Sequence, residues 1–311
     1  MDTSDRCSSF CQSWRVPSVQ QPSSSRVLDR IPAVWLVIAG IFSVQFGAAI
    51  AKQLFGTVPP TAMVWLRLAT SAVILLAVVR PRLRGRSGRD WLVALAFGVS
   101  LMVMNWSIYQ SFARIPLGIA VTIEFLGPLL VAVVGSRRPR DLLWVVLAGV
   151  GVALLGFSRA ELTLSGVLFA LLAAAGWAAY ILLSAQTGRR WTGVSGLAVA
   201  SLVGAVVLAG PAVVEAGSTL LSPWVLLLGV AIGLLSSVIP YSLELIALRR
   251  MPPRVFGILM SLEPAAAALA GMLLLAEFLR GTQWLALVCV VLASVGATRS
   301  TRPEAEPTPE A

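Results

Sequence analysis

The chain has 311 residues, of which 58% are hydrophobic and 12% are charged. Soluble proteins carry about 25% charged residues, so this composition excludes a soluble globular protein and predicts an integral membrane protein. The net charge of +10 does not indicate a nucleic-acid partner, because the arginines cluster in short connectors between apolar runs, as in cytoplasmic loops.

Ten apolar segments follow a polar stretch, residues 1–30, that lacks the continuous apolar core of a signal peptide. We expect this stretch to be a disordered cytoplasmic leader and 300–311 to be a disordered cytoplasmic tail. A helix needs ~20 residues to cross ~30 Å of hydrocarbon, and most segments are long enough. The segments are about 33–54, 60–79, 91–112, 116–135, 142–157, 164–185, 194–214, 223–247, 255–276 and 283–298. The predicted fold is therefore all-α, with ten transmembrane helices.

The arginines predict the orientation. If the N-terminus is cytoplasmic, nineteen arginines fall on the inner side, and only Arg114, Arg159 and Arg280 fall in outer loops. Positively charged loops stay on the cytoplasmic side. We therefore expect both termini and the loop 80–90 to face the cytoplasm.

The chain reads as two related halves, 31–158 and 159–299. Gly118 and Glu124 in the fourth segment match Gly257 and Glu263 in the ninth, with the same spacing of six. Further matched pairs are Trp144/Gly156 with Trp284/Gly296, and Asn105/Pro116 with Tyr241/Pro252. Each half has five helices, an odd number, so the second enters the membrane upside down. Inverted repeats predict a transporter with its substrate site near the midplane.

Glu124 and Glu263 are the first candidates for function, since ionisable groups at membrane depth are costly and mark functional sites by default. Each lies about eight residues, or ~12 Å, into its helix, which places Glu124 in the external half and Glu263 in the cytoplasmic half. Pro128 and Pro264 interrupt the two helices nearby. Such a carboxylate can bind a substrate ammonium or carry a proton. A structural ion pair or a helix bend is the alternative.

Two cations lie within the predicted spans. Lys52 is the only lysine of the chain, and Arg67 is the only arginine well inside a span. Together they can largely neutralise Glu124, Glu244 and Glu263. Lys52 is a candidate for binding a substrate carboxylate, with snorkelling towards the interface as the alternative. Arg67 is interpreted as a structural charge.

Polar and aromatic side chains that share helix faces are candidates for lining a cavity, although interhelical hydrogen bonding explains each of them equally well. They are Gln45, Asn105, Tyr109, Trp177, Tyr180, Ser184, Ser237, Tyr241 and Glu244. Pro240 has no N–H and therefore leaves the carbonyl of Ser236 available. Gly229 and Gly233 indicate close helix packing.

Several runs of the sequence resemble a known family, the drug/metabolite transporter superfamily with paired EamA domains. These runs are VWLRLATSAVILL, NWSIYQSFARIPLGIAVTIEFLGPL, SRRPRD and PYSLELIALRRMPPRVFGILMSLEPA. They span about 31–298 and are most similar to the threonine/homoserine exporters of the RhtA type. The resemblance implies ten helices, a central cavity and efflux of small amino acids or related metabolites across a bacterial inner membrane.

The predicted function is a secondary transporter driven by proton antiport, because the chain has no nucleotide-binding motif. Movement down the substrate's own gradient is the alternative coupling, and other amino acids or drugs are alternative substrates. An intramembrane enzyme is the main rival class, but the chain has no histidine and no hydrolase motif. Cys7, Cys11 and Cys289 do not complete a four-ligand zinc site. The expected partners are therefore a small substrate and membrane lipid, with no cofactor or metal.

Overall fold

The structure is a computed structural model that describes residues 31–136, 142–157, 162–192, 194–248 and 250–300. The predicted leader 1–30 and nearly all of the predicted tail lie outside these residues. So do Cys7, Cys11, Arg137, Arg138, Arg140, Arg159 and Arg249.

Ten helical spans make up the described part of the chain, as the sequence predicted, and no strand occurs there. Nine of them, within that part, are long and apolar enough to cross a membrane, and the fifth is shorter. They are α1 (Ala33–Gln53), α2 (Pro60–Val79), α3 (Gly88–Phe112), α4 (Leu117–Glu124 and Leu126–Ser136), α5 (Leu142–Phe157), α6 (Leu164–Arg190), α7 (Ser195–Ala216), α8 (Pro223–Gly233, a π turn at Leu234–Val238, and Ile239–Leu248), α9 (Pro253–Met260 and Glu263–Leu275) and α10 (Gly281–Ser300).

The start of α3 differs from the prediction because polar residues cap it. The Ser87 side chain accepts a hydrogen bond from the Asp90 backbone N–H at 3.2 Å, and the Asp90 carboxylate accepts one from the Ser87 N–H at 3.0 Å. This capping box satisfies two backbone donors. The helix therefore begins at Gly88, three residues before its apolar run.

The two helices that carry the candidate glutamates are both interrupted beside them. In α4 the break falls at Phe125, directly after Glu124, and in α9 it falls at Ser261 and Leu262, directly before Glu263. Thr122 Oγ1 donates to the Gly118 carbonyl at 2.6 Å, and Ser261 Oγ donates to the Gly257 carbonyl at 3.0 Å. Such bonds to the preceding turn bend helices. The two halves thus share this hydroxyl-to-carbonyl bond at matched positions, although the break follows Glu124 in α4 and precedes Glu263 in α9.

Helix contacts follow the same repeat. The first half supplies α1–α5 and the second supplies α6–α10, so each helix of the first half corresponds to the helix five places later. The packing of α3 against α6 is therefore matched by the packing of α8 against α1. The packing of α4 against α6 is likewise matched by the packing of α9 against α1. The pairs α2–α7, α4–α9 and α5–α10 each join a helix to its own counterpart. This pattern is what a pseudo-twofold axis between two inverted repeats requires.

Small residues allow the close approach of these helices, as is common in membranes. A methyl group at Gly118 of α4 would lie 2.8 Å from the Ala268 Cα of α9. A methyl group at Gly229 or Gly233 of α8 would meet side chains of α2 at 2.8 Å. The prediction that these two glycines mark close helix packing is confirmed.

Candidate functional site

A cavity of about 370 Å³ lies among α1, α2, α3, α4, α6, α8, α9 and α10. Its size is typical of small-molecule sites. Its polar and amphipathic lining residues are Gln45, Arg67, Asn105, Tyr109, Glu124, Trp177, Tyr180, Ser236, Tyr241, Glu244, Glu263, Ser294 and Thr298. The structure therefore brings seven of the nine predicted lining residues together in this space, with both candidate glutamates and Arg67; Ser184 and Ser237 do not line it. Lys52 is not among the lining residues, and Ser184 instead donates to the Ile181 carbonyl.

The three glutamates share one buried environment. Glu124 and Glu263 are 8% and 6% exposed, and Glu263 lies within electrostatic range of both Glu124 and Glu244. None of the three has an ion-pair partner among the residues that the structure describes. Like charges at this depth repel one another, and burial disfavours the charged form of a carboxylate. The cluster is therefore suited to holding protons or a cationic group.

Arg67 is held from one side by α8. Its Nε donates to Ser237 Oγ at 2.8 Å, and its Nη2 donates to the Ser236 carbonyl at 2.9 Å. The sequence predicted that Pro240 leaves this carbonyl available, and Arg67 uses it. The guanidinium also lies 5.7 Å from the centre of the Tyr109 ring. Arg67 thus fixes α2 to the π turn of α8 and still borders the cavity.

Aromatic rings form much of the remaining wall. Trp177 packs edge-on against Phe125, with ring centres 5.3 Å apart, and Tyr180 packs against Phe97 at 5.0 Å. Tyr109 is 1% exposed and contacts Phe112, with ring centres 5.6 Å apart. These rigid walls limit the space around the charged groups.

Gln45 presents an unsatisfied polar atom beside the cavity. The side chain is 3% exposed, and its Oε1 has no hydrogen-bond partner in the described part of the chain. A buried polar atom without a partner is costly. Because Gln45 lines the cavity, a bound molecule that donates a hydrogen bond there would remove this cost.

Lys52 lies outside the cavity lining and is bound to a residue that the sequence interpretation missed. Its Nζ is 2.5 Å from Glu277 Oε1 and donates to the Ile115 carbonyl at 2.8 Å. Glu277 Oε2 accepts from the Leu117 backbone N–H at 2.7 Å. Lys52 therefore neutralises Glu277 rather than the three cavity glutamates. It also joins α1 and the start of α4 to the second half.

The turn after α9 places Glu277 for this contact. Ala276 has a left-handed backbone with φ 54°, and the Glu277 N–H donates to the Gly271 carbonyl at 3.1 Å. The only advance signal was an acidic residue just after the ninth apolar run, at the same predicted membrane level as Lys52. Both side chains are less than a fifth exposed.

The other end of the cavity reaches the ends of the helices. Phe256 and Gly257, in the first turns of α9, and Thr298, in the last turn of α10, line it there. This is the end that carries the arginine-rich connectors. The cavity lining therefore extends to the helix ends that these connectors join.

Comparison with protein families gives two matches to one model, at residues 31–158 and 164–299, and that model describes the EamA-like transporter family. These matches cover most of the chain. The chain belongs to the EamA-like transporter family. The predictions of a multi-pass membrane transporter and of a non-enzyme are thereby confirmed.

Among similar members of this family are two bacterial proteins named threonine/homoserine exporter RhtA. The protein of Salmonella typhimurium strain LT2 is 42% identical over 286 residues, which cover 91% of this chain and 97% of the relative. The protein of Escherichia coli strain K12 is 43% identical over 279 residues, covering 89% and 94%. The predicted resemblance is confirmed over nearly the whole EamA-like chain.

The same fold occurs in a crystal structure of a protein that is 19% identical to this EamA-like transporter. That structure superposes with a TM-score of 0.60 and covers 85% of this chain and 96% of the other. At this identity the likeness concerns the fold alone, which confirms the ten-helix architecture.

Proposed function

We propose that this transporter exports threonine, homoserine or a closely related small amino acid from the cytoplasm. The observation that carries this proposal is its 42–43% identity, over about nine-tenths of the chain, to relatives named threonine/homoserine exporters. Fold alone does not determine a substrate, so the proposal also needs a site of suitable chemistry.

The cavity has that chemistry. It combines one arginine with three glutamates, two amide side chains and three hydroxyl side chains, and the rest of its wall is aromatic and apolar. A zwitterionic amino acid carries an ammonium that pairs with a carboxylate, and a hydroxylated side chain donates to an acceptor such as Gln45 Oε1. We assign Glu124 and Glu263 to ammonium binding, and we assign the walls formed by Asn105, Tyr109 and Trp177 to shape selection.

We further propose that transport is coupled to proton antiport through Glu124 and Glu263. A protonated carboxyl does not attract an ammonium, whereas a carboxylate does, so proton and substrate compete for the same group. Competition of this kind is the linkage that exchange requires. The other ionisable side chains facing the cavity are Arg67, Tyr109, Tyr180, Tyr241 and Glu244.

The role that we propose for Lys52 differs from the substrate-carboxylate binding for which its sequence position made it a candidate. It binds Glu277 across the two halves, so we assign it to closure of the external end rather than to substrate binding. We also assign this structure to the state that accepts substrate from the cytoplasm, because the cavity lining reaches the helix ends beside the arginine-rich connectors.

Overproduction of this protein in a bacterium is expected to lower the intracellular level of threonine or homoserine and to raise resistance to a toxic excess of either. The measurement compares intracellular amino acids and growth with an empty-vector strain. Glu215→Gln is a matched control, because Glu215 is exposed at the end of α7 and should export like the parent. Unchanged pools and unchanged resistance would remove threonine and homoserine as substrates and favour other amino acids or drugs.

We also expect both termini and the connector between α2 and α3 to face the cytoplasm of a bacterial inner membrane. In a background without Cys7, Cys11 and Cys289, a cysteine at Arg84 should resist a membrane-impermeant thiol reagent in intact cells. A cysteine at Ser218 should react. Both positions are exposed, and Arg84 leaves the cap at Ser87 intact. Reversed labelling would overturn the orientation.

A further inference from the structure

We propose that Arg67 binds the α-carboxylate of the transported amino acid. This inference rests on the proposed function and adds to it the group that recognises one end of the substrate. The sequence alone favoured a structural role for Arg67, and four features of the structure argue for a binding role as well.

The first feature is an incompletely paired buried charge. Arg67 is 7% exposed, and no carboxylate lies within ion-pair distance of it among the described residues. A charge buried without an opposite charge is costly. The two acceptors that hold it, a serine hydroxyl and a backbone carbonyl, are both neutral. An anionic ligand would complete its pairing.

The second feature is the orientation of the guanidinium. An arginine has five N–H donors arranged in a planar fork. The bonds to Ser237 and Ser236 use Nε and Nη2, and the hydroxyls of Tyr109 and Tyr241 lie near enough to interact with the guanidinium. Arg67 borders the cavity, so α8 fixes one side of the guanidinium and leaves its remaining donors to the two tyrosine hydroxyls or to a ligand. Carboxylates match such a fork.

The third feature is the distribution of charge around the cavity. Glu124 lies within electrostatic range of Arg67, and Glu263 lies within range of Glu124 and Glu244. The cavity therefore has one cationic group and a cluster of carboxyl groups. A zwitterion bound with its carboxylate at Arg67 and its ammonium at the glutamates satisfies both.

The fourth feature is the position of the other candidate cation. Lys52 contacts Glu277 and the Ile115 carbonyl and does not line the cavity. Within the described residues, Arg67 is consequently the cation that borders this space. A purely structural Arg67 would tie α2 to α8 but would not distinguish ligands by their carboxylate.

The test compares threonine with threoninol, the amino alcohol that keeps the ammonium and the hydroxyl but lacks the carboxylate. Binding is measured as ligand-dependent protection of the purified protein against thermal unfolding, so that a variant defective in transport still gives a result. The parent protein should bind threonine at least about tenfold more tightly than threoninol, because a charge-assisted pair is lost.

Arg67→Gln should weaken threonine binding at least about tenfold and leave threoninol binding nearly unchanged, so that the ratio falls towards one. Arg67→Lys keeps the positive charge but lacks the planar fork of donors, so it should retain part of the preference for threonine over threoninol. This second variant keeps the test usable if the glutamine variant does not fold. Arg89→Gln, at an exposed position in α3, is the control and should keep the parental ratio.

If either Arg67 variant keeps the parental ratio of threonine to threoninol affinity, Arg67 does not bind the substrate carboxylate. A parent protein that binds neither compound would instead contradict the proposed substrate. The two failures are therefore distinguishable.

Discussion

Replacing Glu263 by glutamine is expected to abolish uphill efflux and its dependence on pH, with the protein still folded. Glutamine keeps the size and hydrogen-bonding capacity of the side chain but carries neither a charge nor an exchangeable carboxyl proton. Glu263 is buried at the break of α9 and borders the cavity. An ammonium entering from the cytoplasmic end would meet this carboxylate. Loss of one charge-assisted contact should weaken substrate binding by about tenfold or more.

Glu124→Gln provides the comparison within the same site. It should impair gradient-driven efflux more than exchange of substrate for substrate, because exchange does not require the carboxyl group to release its proton outside. In both assays Glu215→Gln should behave like the parent, because the Glu215 side chain of the parent is exposed and does not line the cavity. If both cavity variants transport at the parental rate and with the parental pH profile, the glutamates are structural and proton antiport through them is wrong.

Breaking the Lys52–Glu277 pair is expected to open the external end of the cavity. Lys52→Met and Glu277→Gln each remove one partner of a contact that joins the two halves. Charged hydrogen bonds of this kind contribute about 1.5–3 kcal/mol. The population open to the outside should therefore rise by about tenfold or more.

A cysteine at Ala48 can report this change, in a background without Cys7, Cys11 and Cys289. Ala48 lines the cavity and is 3% exposed, so an external impermeant thiol reagent should label it faster in both variants. The double variant Lys52→Glu/Glu277→Lys, which exchanges the two charges, should restore only part of the closure. The Ile115 carbonyl accepts from the lysine at position 52 and the Leu117 N–H donates to the glutamate at position 277, so both bonds are lost when the residues are exchanged. Labelling at the parental rate in both single variants would show that the pair does not hold the external end closed.

Much of the fold could be predicted from the sequence because the bilayer restricts the possibilities. An apolar run of about 20 residues must be helical in lipid, and ten such runs give the ten spans. The breaks in α4 and α9 were expected from prolines, but they fall beside Glu124 and Glu263 themselves. The hydroxyls of Thr122 and Ser261 bond to the preceding turn there, and this bonding is not visible in a hydropathy profile.

The sequence predicted those parts of the site whose residues share a polar face of one helix. Residues that share a polar face did converge on one cavity, because the helices pack around it in a repeated pattern. The partner of Lys52 was missed, since the contact depends on a left-handed turn at Ala276 and on packing between the two halves. Ser237 was grouped with the cavity residues, but it holds Arg67 in place.

The most direct test of the account is transport by the purified protein alone. Proteoliposomes loaded with unlabelled threonine should accumulate radiolabelled threonine by exchange, and labelled threonine inside should leave faster when the external solution is more acidic. Glu263→Gln should lose the acceleration by external acid. Accumulation no greater than in empty liposomes would contradict the proposed substrate, and parental exchange without any effect of the pH gradient would contradict proton antiport.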